Sequence, residues 1–355
     1  MVSRPADFRE LLGSRFPIVA APMANAAGVA LAVAVIEGGG VGSLPCAMLS
    51  PGQALAQAQE VRGRARGPLN LNFFCHEMPM GADDSAWRKL LQPYRNSFGA
   101  GDEDSEAPLR LPFDEAMCAM VETVRPELVS FHFGLPDEDL LGRVRSAGCR
   151  ILGNATTVEE ARLLAGRGVD AIIAQGWEAG GHAGRFLEHR PEEHMGLFAL
   201  LPQIVDSTGL PIIAAGGIAD ARGIAAALML GATAVQIGTA YLRSPESLIG
   251  PAHRAALDSA EAERTIFTNL YTGGLARGLR TRLIEELGAV RPEAPPYPLA
   301  ASALAPVAKA TAARGEAGFS PMWAGQSARL APALPARELT ERLGRDALAL
   351  LGRRA

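Results

Sequence analysis

The chain has 355 residues, of which 48% are hydrophobic, 20% charged and only 5% aromatic, with a formal net charge of −4. That apolar fraction argues against a disordered chain, and acidic and basic residues interspersed along the length give nothing that points to a nucleic-acid groove or an anionic-membrane face, which leaves small molecules as the expected partners. The length admits two domains, or one large α/β domain of about 250 residues with appendages.

In chain order, Pro17 to Pro22 (P-I-V-A-A-P) is a short apolar run closed by prolines and reads as a first strand. A loop at Met23 to Ala26 follows, and then an Ala/Val-rich helix to Glu37. Gly38-Gly39-Gly40 ends that helix, Val41 to Pro45 is a second strand, and Ser50-Pro51 opens the next helix with an N-cap and a proline at the first helical position. Leu69 to Phe74 is a third strand, Val129 to Phe133 a fourth and Arg150 to Ala155 a fifth. An insertion at residues 76–127 separates the third from the fourth, and its charged, Pro/Gly-rich middle, Gly99 to Pro112, reads as a surface excursion within a helical segment. After Asn154, T-T-V-E-E-A-R-L-L-A-G-R-G is a helix with Thr before Glu in the capping-box arrangement. Ala171 to Ala174 is a sixth strand, residues 192–209 look helical, Pro211 to Gly217 is a seventh strand, Asp220 to Gly231 a helix, and Ala234 to Tyr241 an eighth strand.

Eight strand signals alternating with helices, at about 30 residues per unit, predict a (β/α)8 TIM barrel with active-site groups at the C-terminal strand ends. A doubly wound open sheet is the rival, but no G-x-G-x-x-G follows an early strand. The barrel domain is assigned to residues 1–244. Residues 245–355 are assigned to a helical extension with helices at Pro245 to Ala260 and Arg277 to Leu287, a proline-rich crossing at Pro292 to Pro298 and a tail around Trp323 to Gln326. Few apolar residues remain there for a separate core, so the extension is expected to fold back over the barrel.

The four cysteines, Cys46, Cys75, Cys118 and Cys149, are far apart and form no C-x-x-C or Cys/His cluster, which argues against zinc and disulfides and predicts reduced, mostly buried thiols. Met1 to Gly13 carries charges at Arg4, Asp7, Arg9 and Glu10 with no apolar h-region, and no apolar run approaches the roughly 18 residues of a membrane span. The expectation is a soluble cytoplasmic protein.

The chemistry concentrates at Asp170 to Arg185 (D-A-I-I-A-Q-G-W-E-A-G-G-H-A-G-R), where a buried strand runs into Gly180, Gly181 and Gly184 around His182. Glycines admit close backbone approach, and an imidazole held there exchanges a proton near neutral pH. The seventh and eighth strands end in Gly216-Gly217 and Gly238-Thr239, the loops that in this fold form a phosphate site from backbone N–H donors and a hydroxyl, although glycines also simply permit tight turns. Alternation turns His132 away from Phe131 and Phe133, so it is either a core histidine or a second polar group at the mouth. Gln175 and Gln236 end apolar strands where they either satisfy backbone or, with Asn72, meet a polar heterocycle. Met23 either packs on a planar ring or fills core. Flavin mononucleotide (FMN) fits this set, and no metal cluster, Ser/His/Asp order or paired carboxylates compete.

A-P-M-A-N-A-A-G (Ala21 to Gly28), P-L-N-L-N-F-F (Pro68 to Phe74), S-F-H-F-G (Ser130 to Gly134), A-Q-G-W-E-A-G-G-H-A-G-R (Ala174 to Arg185), A-A-G-G-I (Ala214 to Ile218), Q-I-G-T (Gln236 to Thr239) and W-A-G-Q (Trp323 to Gln326) together resemble the nitronate monooxygenases, formerly 2-nitropropane dioxygenases. The resemblance implies an FMN-containing TIM barrel that oxidises alkyl nitronates with O2 to a carbonyl compound and nitrite. It implies that Met23, Asn72, Gln175, Gly180, Gly181, Gly216, Gly217, Gln236, Gly238 and Thr239 line FMN, that His182 is the catalytic histidine and that His132 is a second polar group at the nitronate. One departure is that Ala301 and Ala305 occupy the places of a tyrosine and a lysine in the family's best-described bacterial branch, with Tyr297 matching an earlier tyrosine. Flavin-type enoyl-acyl-carrier-protein reductases and NADH:quinone reductases also resemble the chain and imply NAD(P)H as a flavin reductant, and a non-catalytic flavin-binding barrel is a third reading.

Overall fold

A computed structural model describes residues 7–101, 109–188 and 193–352. Eight parallel strands form the barrel: β1 (Ile18–Ala20), β2 (Gly42–Pro45), β3 (Leu69–Phe74), β4 (Leu128–His132), β5 (Arg150–Ala155), β6 (Ala171–Gln175), β8 (Ile212–Ala215) and β9 (Ala234–Ile237). Around the barrel they run β1-β9-β8-β6-β5-β4-β3-β2, and a parallel bridge between Val19 and Val41 closes the ring. β1 and β8 are apolar throughout and the other strands largely so, because they are covered on both faces, by side chains filling the barrel and by an outer layer of helices. Leu71, Val129, Ile151, Ile172, Ile213 and Val235 are all fully buried.

The connecting helices start where their side chains satisfy free amides. Ser50 and Gln53 form a reciprocal capping box on Pro51–Arg64, and Asp137, Thr157 and Asp220 each cap a helix that begins one residue later. At the Thr157 helix only half of the expected box forms. The hydroxyl of Thr157 accepts from Glu160 N, while the Glu160 carboxylate accepts from the amides of Thr156, Phe186 and Leu187 and from the Thr156 hydroxyl. Glu160 is fully buried, so its charge is met by directed donors, and the loop after β6 is pinned by it.

Of the sequence boundaries, the eighth strand is shorter than expected, ending at Ile237 before a 3-10 turn at Thr239–Tyr241. The segment read as a helix from Arg277 begins instead with a strand, β11 (Ala276–Leu279), which pairs antiparallel with β10 (Thr265–Thr268) and with the two-residue β7 (Gly181–His182); the helix starts at Arg282. Pro245 to Ala260 reduces to a helix over Pro251–Asp258 and a 3-10 turn from Ala260. Part of the excursion at Gly99 to Pro112, namely residues 102–108, lies outside the described residues, as do Arg4 and residues 189–192. Within the insertion, helices form at Ser85–Phe98 and Glu115–Val124.

The chain beyond β9 has two parts. The last helix, Ala336–Leu350, returns to the barrel, where Thr340 bonds Tyr241 and packs against Gly38 and Gly40. The part before it, with the helix Ala300–Ala312, packs against the insertion helix Ser85–Phe98 around Trp87, Leu91, Tyr271, Leu304 and Phe319, a buried cluster beside the barrel core. All four cysteines are free, three of them buried. Among the described residues no helix is long and apolar enough to cross a membrane.

Candidate active site

A cavity of about 450 Å³ opens at the C-terminal ends of the strands. Met23, Asn72, His132, Gln175, Gly180, Gly181, His182, Gly216, Gly217, Gln236, Gly238 and Thr239 all line it, so the topology gathers the sequence-derived candidates in one place. No Asp or Glu lines it among the described residues, and Arg110 is its one permanently charged side chain there.

The loop carrying His182 is built from Gln175. Its Oε1 accepts from Gly184 N at 2.8 Å and from Asn154 Nδ2 at 3.1 Å, and its Nε2 donates to the carbonyl of His182 at 2.8 Å. Gly184 has to be glycine, because a Cβ there would stand 2.3 Å from His132 Cε1 and 2.4 Å from Asn154 Nδ2. Beyond the loop, Arg277 is buried against the Trp177 and Phe267 rings, with its centre 5.3 and 4.2 Å from their centroids, and donates to the carbonyl of Trp177. The W-A-G-Q tail closes over the same place. Gly325 N donates to Thr239 Oγ1 at 2.9 Å, Gln326 N donates to the carbonyl of Glu178 at 2.9 Å, and a Cβ on Gly180 would meet Gly325 N at 2.5 Å.

His182 Nε2 lies 2.8 Å from Thr272 Oγ1 in a hydrogen bond. The ring is flanked by Tyr297, Trp323 and Phe133, with centroids 5.2, 5.6 and 6.0 Å away. Burial first, and then the nearby Arg110 and the His132 and His76 rings, hold its pKa well below the ordinary histidine value. His182 is therefore a neutral imidazole at physiological pH and can accept a proton. Burial likewise pushes His132 down to about 4, opposed by the His182 carbonyl.

Across the mouth, Gly216 and Gly217 take φ of 110° and 70°, conformations that strain any other residue. Among the described residues, the amides of Gly216, Gly217, Gly238 and Thr239 donate to no protein carbonyl. Both amide hydrogens of Asn72 are spent on Ser130, which leaves its oxygen as the free group. The buried Oε1 of Gln236 has no hydrogen-bond partner, an acceptor waiting for a donor from the cavity.

The residues that sequence reasoning missed are Thr272, Trp323 as a wall beside His182, Arg110 and His253. His253 also lines the cavity with its buried Nε2 unpartnered, and burial depresses it to about 4. Thr272 and Trp323 come from the far chain segment and had no local signal. Arg110 sits inside a charged stretch that read as surface. Ala301 and Ala305 lie on the helix Ala300–Ala312 and do not line the cavity, so their small side chains do not shape its wall.

Fold and mouth together define a (β/α)8-barrel protein whose ligand cavity sits at the C-terminal strand ends, where this architecture places its active sites. Within that class, the chain belongs to the nitronate monooxygenase family, whose model matches residues 7–346, and is an oxidoreductase. Nitronate monooxygenases from Paraburkholderia phytofirmans and Pseudomonas aeruginosa are each 42% identical to it, over 95% of this chain and 93% and 97% of their own. Nitroalkane oxidase from Streptomyces ansochromogenes has a similar structure, with a TM-score of 0.89 and 34% identity over 98% of this chain and 99% of that one. FabK from Thermotoga maritima is less similar, at a TM-score of 0.74 and 25% identity over 97% and 96% of the two chains.

Proposed function

We propose that the protein is an FMN-dependent nitronate monooxygenase that oxidises alkyl nitronates with O2 to a carbonyl compound and nitrite. The observation that carries the reading is a half-buried His182, fixed by Thr272 and with its pKa held low, opening onto the same cavity as unpaired donors and an unpaired acceptor. The residues fit a flavin nucleotide. The free amides of Gly216, Gly217, Gly238 and Thr239 suit a phosphate, and Gln236 Oε1 suits an N–H or hydroxyl donor of the flavin. Met23, Asn72, Gln175, Gly180 and Gly181 would complete its walls.

When bound, the flavin supplies the electron acceptor for the nitronate and the route to O2. The protein's own part is to position and to manage protons. His182 takes the proton α to a nitro group, or holds the nitronate once formed, and its Thr272 contact fixes the ring plane. His132, also neutral, adds a polar group on the same wall without bringing a second charge. Phe74, Phe131 and Trp323 exclude water from the reacting carbon. Unbridged thiols agree with a cytoplasmic setting for this enzyme.

The test is purification without added cofactor, an absorbance spectrum, and mixing with propionate 3-nitronate under air with nitrite measured. A yellow protein that releases nitrite supports the reading, and a colourless one contradicts it. An NAD(P)H-dependent reductase is the second reading, favoured by the likeness to FabK. Rapid anaerobic flavin reduction by NADH, with no nitrite from nitronate under air, would establish that reading instead.

A further inference from the structure

Arg110 is 9% exposed and lines the cavity, yet among the described residues no carboxylate pairs with it and no carbonyl accepts from it. Its neighbours are His76, His182 and Tyr297, none of which offsets a positive charge at neutral pH. A buried guanidinium without a counter-charge is costly, and with no Asp or Glu in the lining among the described residues a bound anion can supply one.

The fold sets this charge apart from the candidate phosphate cradle. The Phe113 amide donates to the carbonyl of Phe74 at 2.7 Å, which fastens the Arg110 segment to the end of β3. In the ring order the β3–β4 edge lies diametrically opposite the β8–β9 edge, where the glycine amides are. The cavity thus has two anion-seeking ends, with Arg110 at the one that holds His182.

We propose that Arg110 binds the substrate anion, its forked guanidinium gripping both oxygens of the planar nitronate, and that it makes the site choose the nitronate over the neutral nitroalkane. The proposal rests on the nitronate reading above. A nitronate carries two oxygens on one nitrogen in the geometry of a carboxylate, which a guanidinium meets with two parallel N–H donors while an ammonium meets it as a point charge.

The experiment compares the holoenzyme with Arg110→Met and Arg110→Lys, using ethyl nitronate as substrate and inorganic nitrate, a planar oxyanion, as a binding probe read by calorimetry. For Arg110→Met the KM for nitronate should rise about 10- to 100-fold with kcat within about threefold, as for loss of a charged hydrogen-bonding partner. Nitrate binding should vanish, bound flavin should stay at the wild-type level, and Arg110→Lys should fall between. Neutral nitroethane should compete equally well in all three proteins. Unchanged nitrate affinity and nitronate KM would overturn the proposal, as would loss of flavin with nitrate binding intact, which would assign the guanidinium to the cofactor. Should the wild type turn over no nitronate, the functional reading fails on its own, while nitrate binding abolished by Arg110→Met still supports an anion site at this residue.

Discussion

Gln175→Met tests how the His182 loop is held. The substitution nearly keeps the side-chain volume but removes every polar contact, leaving the Gly184 amide and the His182 carbonyl without the partners now at 2.8 Å, and Asn154 without its acceptor at 3.1 Å. Each buried group stranded in this way costs about 1–3 kcal/mol. Cavity water can recover part of that, because Gln175 lines the cavity, so a net loss of about 3 kcal/mol is expected. For a chain of 355 residues that is a fall in Tm of several degrees, at roughly 1–2 °C per kcal/mol. The functional effect should be larger. With its carbonyl released, His182 is no longer indexed to the barrel, and a displacement of about 1 Å lowers kcat/KM on the order of 100-fold. Calorimetric melting and nitrite release from ethyl nitronate measure the two effects. A Tm shift under about 1 °C together with kcat/KM within about threefold of wild type would refute the reasoning.

Two further predictions concern the imidazoles. Thr272→Val keeps the shape but removes the 2.8 Å bond to His182 Nε2, so kcat should drop about 10-fold with flavin content unchanged, as steady-state kinetics and the absorbance spectrum will report. The pH dependence follows from His132 and His253, whose pKa values are lowered from 6.5 to about 4 by burial. The unfolded chain binds more protons than the folded one between those values, so their contribution is fully present above pH 6.5 and is lost as pH falls toward 4. Tm should rise with pH from about 4 to 6.5 and level off above that, and His132→Asn should flatten the rise.

What the sequence revealed follows from where its signals are local. The barrel was legible because strands buried on both faces are apolar throughout, as Ile212–Ala215 is, or up to a terminal polar residue, as Ala171–Gln175 is, and are closed by glycine. The candidate site was legible because strand-end residues in this fold converge on one mouth, as Asn72, Gln175 and Gln236 do. The sheet of Gly181–His182, Thr265–Thr268 and Ala276–Leu279 was not, because its strands are two to four residues long and Arg277 reads as a polar helix position until the Trp177 and Phe267 rings that cover it are known. Thr272 and Arg110 escaped for a related reason. Each acquires a task only through residues distant in the chain, Thr272 by meeting His182 and Arg110 by folding under the mouth from a stretch that looked solvent-exposed.

The central claim is that His182 acts on substrate in a cavity that holds a flavin by other residues. Its most direct measurement is anaerobic stopped-flow mixing of ethyl nitronate with wild type and His182→Ala, both shown by absorbance to carry equal flavin. Wild-type flavin should be reduced rapidly and the variant at least about 10-fold more slowly, the scale of one lost hydrogen bond to the anion, since a nitronate has no α proton left for His182 to take. Equal reduction rates in the two proteins would contradict it.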